Sequence, residues 1–134
     1  MAGELKLLQM VGGAASTALL AQALGGTHTV INSETATHTL LAAHATKKRA
    51  VLVIVTVDEV FANGTNTQTV IEVGEDGTID KCFDHLKLVD AAAGSVWAFA
   101  FQNDATEKVI ITSTAAVATG TGGVTVTAIA IPEN

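Results

Sequence analysis

The sequence predicts an all-β fold: an antiparallel β-sandwich of the jelly-roll or Greek-key type with about eight strands, preceded by an N-terminal helical or extended arm. Two observations carry this prediction. Runs rich in Val, Ile, Thr and Ala recur roughly every 8 to 12 residues from residue 27 onward, most of them closed by Gly, Asn or Asp. Within these runs, β-branched and polar residues alternate, as in strands that bury one face. We therefore divide the chain into an arm, residues 1–26, and a β-sandwich domain, residues 27–134.

Composition limits the classes of partner. The 134 residues carry a net charge of −6, so the chain should be repelled by nucleic acid and by anionic lipid. The single cysteine excludes an intrachain disulfide framework. An apolar fraction of 49% with only 15% charged residues is high for a small monomer, which suggests that part of the surface contacts another chain. Alternatively, Ala and Gly raise the apolar fraction without forming a patch.

The arm has apolar residues near a helical period, interrupted by Gly12-Gly13. This pattern indicates one broken helix or two short ones, and it is too interrupted and too weakly apolar for a membrane span. We expect Gly25-Gly26 to act as a hinge or helix stop before the β domain. We also expect the apolar side chains of the arm to contact a partner, namely Leu5, Leu8, Val11, Leu19, Leu20 and Leu24.

The first half of the β domain contains the most hydrophobic strand of the chain. Residues 27–31 and 35–43 are candidate strands around a turn at Asn32-Ser33. The next run, 49–57, is apolar on both faces and should be a central strand covered from two sides, by the opposing sheet and by the arm or a neighbouring subunit. We predict that one of its faces belongs to the core, through Val51, Val53 and Val55.

The second half of the domain has one clear hairpin signal and one aromatic strand. Asp76-Gly77 between apolar runs predicts a hairpin. Trp97, Phe99 and Phe101 alternate with alanines and should face the core. A Gly-rich hairpin turn at 119–123 is expected to join the last two strands. The further candidate strands are 67–73, 79–83, 86–89, 95–101, 107–112 and 123–131.

Side chains that could carry chemistry are few. Asp80, Cys82 and Asp84 would share one face of a strand, but a zinc site normally draws on a second cluster of ligands, and the chain has no second cysteine. We interpret this group as a small buried thiol between solvated carboxylates. His85 would lie on the opposite face from Cys82 and could not activate it.

The remaining histidines do not change this conclusion. His28, His38 and His44 do not have the spacing of the metal-binding histidines in cupins, and His38 is interpreted as a half-buried histidine on the same face as Leu40. No serine lies in a nucleophile-elbow context, and no Gly-rich segment has the setting of a phosphate-binding loop. The sequence thus predicts no catalytic residue, no metal site and no cofactor, and hence no enzyme.

The run 36–57 reads ATHTLLAAHATKKRAVLVIVTV, a polar strand followed by Leu-x-Ala-Ala, a basic turn and a long Val/Ile/Leu strand. It is similar to a pattern found in small virion proteins of tailed bacteriophages, and the Thr- and Ala-rich segments up to residue 131 are of the same style. Such proteins are typically β-sandwiches on the capsid surface, at the head-to-tail junction or in the tail. The N-terminal arm departs from this pattern and leaves the position within the virion open.

The resemblance implies a capsid decoration or cement protein that stabilises the head through subunit contacts. Its partners would be further copies of itself, as a homotrimer on a threefold site, and the major capsid protein. It would occupy the capsid surface of the virion and the host cytoplasm during assembly. The alternatives are a head-to-tail or tail structural protein and, from another class, a carbohydrate- or surface-binding β-sandwich module, which would need exposed aromatic rings.

Overall fold

In the computed structural model, the described residues are 25–44, 46–62, 69–88, 91–116 and 119–131, and they form eight β-strands and no helix. No segment within these ranges is therefore a helix that could cross a membrane. The strands are β1 (Gly25–Ile31), β2 (Ala36–Leu41), β3 (Arg49–Ala62), β4 (Val70–Glu75), β5 (Thr78–Phe83), β6 (Val96–Asn103), β7 (Val109–Thr114) and β8 (Thr121–Ile131).

The strands form two four-stranded antiparallel sheets. The first sheet has the order β1-β8-β3-β6 and the second has the order β2-β7-β4-β5. β1 pairs with β8, β2 with β7, β3 with β6 and β4 with β5, which is the pairing of one long hairpin folded over itself. This order is that of a jelly roll, so the predicted all-β sandwich is confirmed.

The core lies between the two sheets and is centred on β3. Val51, Val53 and Val55 have no exposed surface, because alternate residues of this strand point toward the second sheet. The opposite side of β3 is only half-buried at Leu52 and Ile54, so the expected cover on the second side is incomplete among the described residues.

The aromatic strand β6 lies at the edge of the first sheet. Trp97, Phe99 and Phe101 pack against the core but are half-buried, because β6 has a neighbouring strand on one side only. The ring of Phe99 lies 4.8 Å from that of Phe83 on β5, which joins the two sheets at this edge.

Two expected turns connect the sheets instead of forming hairpins. β1 and β2 lie in different sheets on either side of Asn32-Ser33, and β7 and β8 are also in different sheets, so the Gly-rich segment before β8 is not a hairpin turn. In a jelly roll most successive strands cross from one sheet to the other. The hairpin expected at Asp76-Gly77 is present between β4 and β5.

The prediction of a strand at 86–89 is wrong for residues 86–88, which form no ladder, and residue 89 lies outside the described residues. Leu88 is nevertheless fully buried and belongs to the core. A short apolar run is equally compatible with a loop that inserts its side chains between the sheets, because periodicity cannot distinguish the two.

The junction with the arm also differs from the expectation. Gly25 and Gly26 are not a hinge; they are the first residues of β1 and pair with Ile129 and Ala128. A Cβ atom on Gly26 would collide with the carbonyl oxygen of Leu40, so glycine is required where β1 and β2 approach each other. Residues 1–24, with the six predicted contact residues of the arm, lie outside the described residues, and the division at residue 26 stays a prediction.

Candidate assembly surface

The outer face of the first sheet includes a continuous surface without charged side chains, bordered by the exposed Asp58, whose carboxylate accepts from the hydroxyl of Thr125 at 2.6 Å. Residues that alternate with the buried positions of β1, β3, β6 and β8 point away from the core. We call this surface the uncharged face. It consists of Thr27, Thr29, Ile31, Ala50, Leu52, Ile54, Thr56, Val96, Ala98, Ala100, Thr125, Thr127, Ile129 and Ile131.

Strand register places the aliphatic residues of this face side by side. Leu52 on β3 lies between Ala100 on β6 and Ile129 on β8. At the β6 edge, Val96 is 59% exposed, and its neighbours along the outer side of the strand are alanines. Because alanines leave the β6 side of the face shallow, another chain could pack directly on Leu52.

Threonines form the other half of the uncharged face, over β1 and β8. The hydroxyl of Thr27 lies 3.1 Å from that of Thr127, and the hydroxyls of Thr29 and Thr125 are 2.9 Å apart. Cross-strand threonine pairs of this kind stabilise an antiparallel ladder. They also satisfy their own hydroxyl groups, which lowers the desolvation cost of covering this half of the face away from Asp58.

The outer face of the second sheet is acidic by contrast. Burial and the neighbouring carboxyl of Asp84 raise the pKa of Glu72 above its ordinary value; the charge of Asp80 adds to this, and the charge of His85 opposes it. Like charges this close repel one another, and covering them with another chain would add to that cost. Of the two faces, the uncharged one is therefore better suited to burial by another chain.

The loops at one end of the sandwich are held by a buried polar network. Asn103 is fully buried; its amide donates to Oε1 of Glu75 at 3.0 Å, and its carbonyl oxygen accepts from Nε of Arg49 at 2.8 Å. Lys81 donates to Glu75 at 2.9 Å and to Asp104 at 2.8 Å. Within the described residues, no buried side-chain nitrogen or oxygen lacks a partner, so this network holds the structure and offers no free group for chemistry.

The predicted group around Cys82 does not form a site. The ligand atoms of Asp80, Cys82 and Asp84 do not converge, whereas Glu72, Asp84 and His85 approach one another at the exposed surface. Burial raises the pKa of the Cys82 thiol to about 11, so the thiol is protonated at neutral pH and is a poor nucleophile. His85 is not on a strand; it follows β5 with a φ of 48° and contacts Asp84.

Sequence reasoning missed one cluster, at the edge formed by β1 and β2. Nε2 of His28 lies 2.9 Å from Oε1 of Glu34, and Nε2 of His38 lies 3.3 Å from the same oxygen. The two imidazole rings are stacked with their centroids 3.6 Å apart. The available signal was symmetry, because the histidines stand five residues before and five residues after Ser33 in the turn. This spacing predicts a contact between the two histidines only if β1 and β2 are known to face each other.

The electrostatics of this cluster centre on the carboxylate. Partial burial acts to raise the pKa of Glu34, but the hydrogen bond and charge of His28, the hydroxyl of Ser113 and the charge of His38 outweigh it. The pKa of Glu34 therefore lies below its ordinary value, and the group is a carboxylate at neutral pH. His44 is exposed in the next loop and takes no part.

Comparison with known proteins finds similarity in structure only. No protein-family model matches the chain, and no curated protein sequence matches it either. A chain of the cyanophage Pam1 capsid asymmetric unit superimposes with a TM-score of 0.52 at 13% identity, over 82% of this chain and 88% of that chain. A chain of the acidic stable capsid structure of Helicobacter pylori bacteriophage KHP30 gives 0.51 at 18% identity, over 83% and 92%.

A third solved structure is the nucleoplasmin-like N-terminal domain of Drosophila FKBP39, with a TM-score of 0.44 at 6% identity over 84% of this chain and 94% of that chain. At identities this low, the two phage matches show that the sandwich is shared with chains found in phage capsids. They show the fold and leave the role of this chain to be argued from its own surfaces.

Proposed function

We propose that the protein is a structural component of a tailed-phage virion, and specifically a decoration or cement protein on the capsid surface. It would bind the major capsid protein and further copies of itself, as a homotrimer, and would reside in the host cytoplasm until assembly. The observation that carries the proposal is the shared fold, which spans more than four-fifths of this chain and of each of two chains from phage capsid structures.

The uncharged face supports this proposal independently of the comparisons. The part of this face that offers Leu52, Ile54 and Val96 carries no charged residue and loses little by desolvation when another subunit covers it. The acidic face of the second sheet is suited to remain in solvent. A subunit that lies on a capsid needs this asymmetry between one contact face and one solvated face.

The position of the arm supplies a second argument. Gly25 pairs with Ile129 on the uncharged face, so residues 1–24 join the sandwich at the border of that face. With Leu5, Leu8, Val11, Leu19, Leu20 and Leu24, this segment could extend the apolar contact to a neighbouring subunit. We expect this segment to contribute to attachment to a neighbouring subunit. We also expect the sandwich to fold without it.

The competing carbohydrate-binding module is disfavoured by the aromatic residues. Such a module presents exposed rings on a flat surface. All five Phe and Trp rings of the chain lie in the described residues, and none is exposed. Phe61 and Phe83 are buried, and Trp97, Phe99 and Phe101 are half-buried. An enzymatic role has no support from the Cys82 group.

Native mass spectrometry and circular dichroism test the oligomer and the arm. The full chain is expected as a homotrimer. A chain that lacks residues 1–24 should keep the β-sheet circular dichroism spectrum and a cooperative thermal transition but lose assembly. A full chain that is a monomer at micromolar concentration would contradict the trimer, and a truncated chain that does not fold would place the arm in the core.

A further inference from the structure

The cluster of His28, Glu34 and His38 joins the two sheets at an open edge of the sandwich. His28 shares the inner side of β1 with the buried Val30, and His38 shares the inner side of β2 with the buried Leu40. Because β1 and β2 are edge strands of different sheets, the two imidazoles face each other across the gap between the sheets. The intervening turn brings Glu34 back against both.

The three side chains bring potential ligand atoms close together. One ligand atom from each of His28, Glu34 and His38 lies within 4.8 Å of the other two. Tetrahedral coordination with bonds of about 2.0 to 2.1 Å places neighbouring ligand atoms about 3.3 Å apart. The distances from Oε1 to the two histidine nitrogens, 2.9 and 3.3 Å, are close to this spacing.

Hydrogen bonds also connect the cluster. Oε1 of Glu34 is within reach of both histidines and of Oγ of Ser113, which lies 3.2 Å away, and a carboxylate can accept this number of bonds. Stacked imidazoles with centroids 3.6 Å apart repel each other if both are charged. A divalent cation would remove this repulsion, because it binds neutral imidazoles and balances the carboxylate.

The surroundings provide support for a ligand set. Ser113, which is buried, holds Glu34 and is itself fixed by the backbone nitrogen of Ala36 at 3.2 Å. Such outer contacts orient metal-binding side chains. In the described residues, the ion pairs of Glu34 are with these two histidines only, so no Lys or Arg competes for the carboxylate.

We propose that His28, Glu34 and His38 form a binding site for a divalent transition metal ion of the zinc type, with the fourth position left to water. Two imidazole nitrogens and one carboxylate oxygen are ligands that Zn²⁺ accepts. Tetrahedral coordination by both nitrogens places the ring centroids about 5 Å apart, so the rings, which are stacked at 3.6 Å, would rotate apart when the ion binds. The ion would tie β1 to β2 and so close one edge of the sandwich. This inference does not depend on the role of the protein in a virion.

Isothermal titration calorimetry with zinc chloride on chelator-treated full-length protein tests the site. We expect one ion per chain with a Kd in the micromolar range or below, and a higher Tm with zinc. His38→Gln should weaken binding at least 100-fold, since it removes one of three ligands. His44→Gln and His85→Gln are matched controls that should bind as the wild type does, and the second also tests the exposed group at Glu72 and Asp84.

Cobalt gives a second readout that does not rely on stability. The wild-type protein loaded with Co²⁺ should show visible absorption of a four-coordinate site, and His28→Gln and Glu34→Gln should lose it. If one of these variants does not fold, His38→Gln provides the test, because the side chain of His38 is 41% exposed and that of His28 only 23%. Absence of stoichiometric zinc binding in the wild type would overturn the proposal, as would a loss of binding in the His44 or His85 variants instead.

Discussion

The buried amide of Asn103 connects several segments of the chain through one side chain. It bonds Arg49 at the start of β3, Glu75 at the end of β4, and the backbone oxygen of Glu107 at 3.1 Å. Truncation would remove one hydrogen bond from each of these groups. Single residues of this kind determine how the loops at one end of the sandwich are arranged.

Asn103→Ala should therefore lower the free energy of unfolding by about 2 to 3 kcal/mol, since buried charged partners lose their hydrogen bonds. Urea denaturation followed by circular dichroism measures the change. Gln102→Ala, at the exposed neighbouring position, is the control and should alter stability by less than about 0.5 kcal/mol. An equal change in the free energy of unfolding in the two variants would mean that the polar network around Asn103 does not contribute to stability.

Protonation of Asp104 should lower the stability of the protein at acid pH. Hydrogen bonds from Lys81 and Lys48 lower the pKa of its carboxyl to about 2, below the ordinary value of 3.8. A lowered pKa in the folded state means that the stabilisation is present above about pH 4 and is lost as the pH falls toward 2. The Tm difference between wild type and Asp104→Asn should shrink over this range, and a constant difference would contradict the assignment.

The thiol of Cys82 should react slowly. With a pKa of about 11, only about one thiol in ten thousand is ionised at pH 7. Iodoacetamide labelling of the native protein, followed by mass spectrometry, should be much slower than labelling in urea. Labelling at the same rate in both conditions would show that the thiol is neither buried nor shifted.

Among the elements, β6 shows what an edge position does to an aromatic strand. Its rings alternate with alanines as in a core strand, yet they are only half-buried. Trp97→Ala should then cost about 2 to 3 kcal/mol, less than the 3 to 5 kcal/mol typical of a fully buried large aromatic. Chemical denaturation measures it, with Ala98→Ser as the near-neutral control. A cost below about 1 kcal/mol would place the ring on the surface.

How much could be predicted from sequence depends on whether a feature is local. β3 and the hairpin at Asp76-Gly77 were predictable because alternation and turn residues act within a few positions. The sheet to which β2 or β8 belongs was not, because strand pairing across about a hundred residues leaves no local pattern. The cluster of His28, Glu34 and His38 is local in sequence, but it was missed because it depends on β1 and β2 lying in different sheets that face each other.

At the scale of the whole molecule, the two outer faces carry different chemistry. One is made of Thr, Ala, Ile, Leu and Val with Asp58 at its border, and the other holds the carboxylates of Glu72, Asp80 and Asp84. The number of strands, the topology and the core of this sandwich would be the same in a protein of another function. The central claim, a capsid protein that attaches through its uncharged face, therefore rests on this asymmetry together with the shared fold.

A pair of lysine substitutions shows which of the two faces contacts a partner. Ala98→Lys introduces a charge on the uncharged face beside Ile54, while Thr37→Lys introduces the same charge at an exposed position of the second sheet. Neither change removes a buried side chain, so both variants should fold. Burial of the new ammonium group against a partner would be costly only on the uncharged face.

Co-sedimentation with capsids tests the central claim most directly, using particles assembled from the major capsid protein encoded in the same genome. The account predicts that the wild-type protein and Thr37→Lys sediment with the particles and that Ala98→Lys remains in the supernatant. A wild-type protein that stays in the supernatant, or an Ala98→Lys variant that sediments as the wild type does, would contradict it.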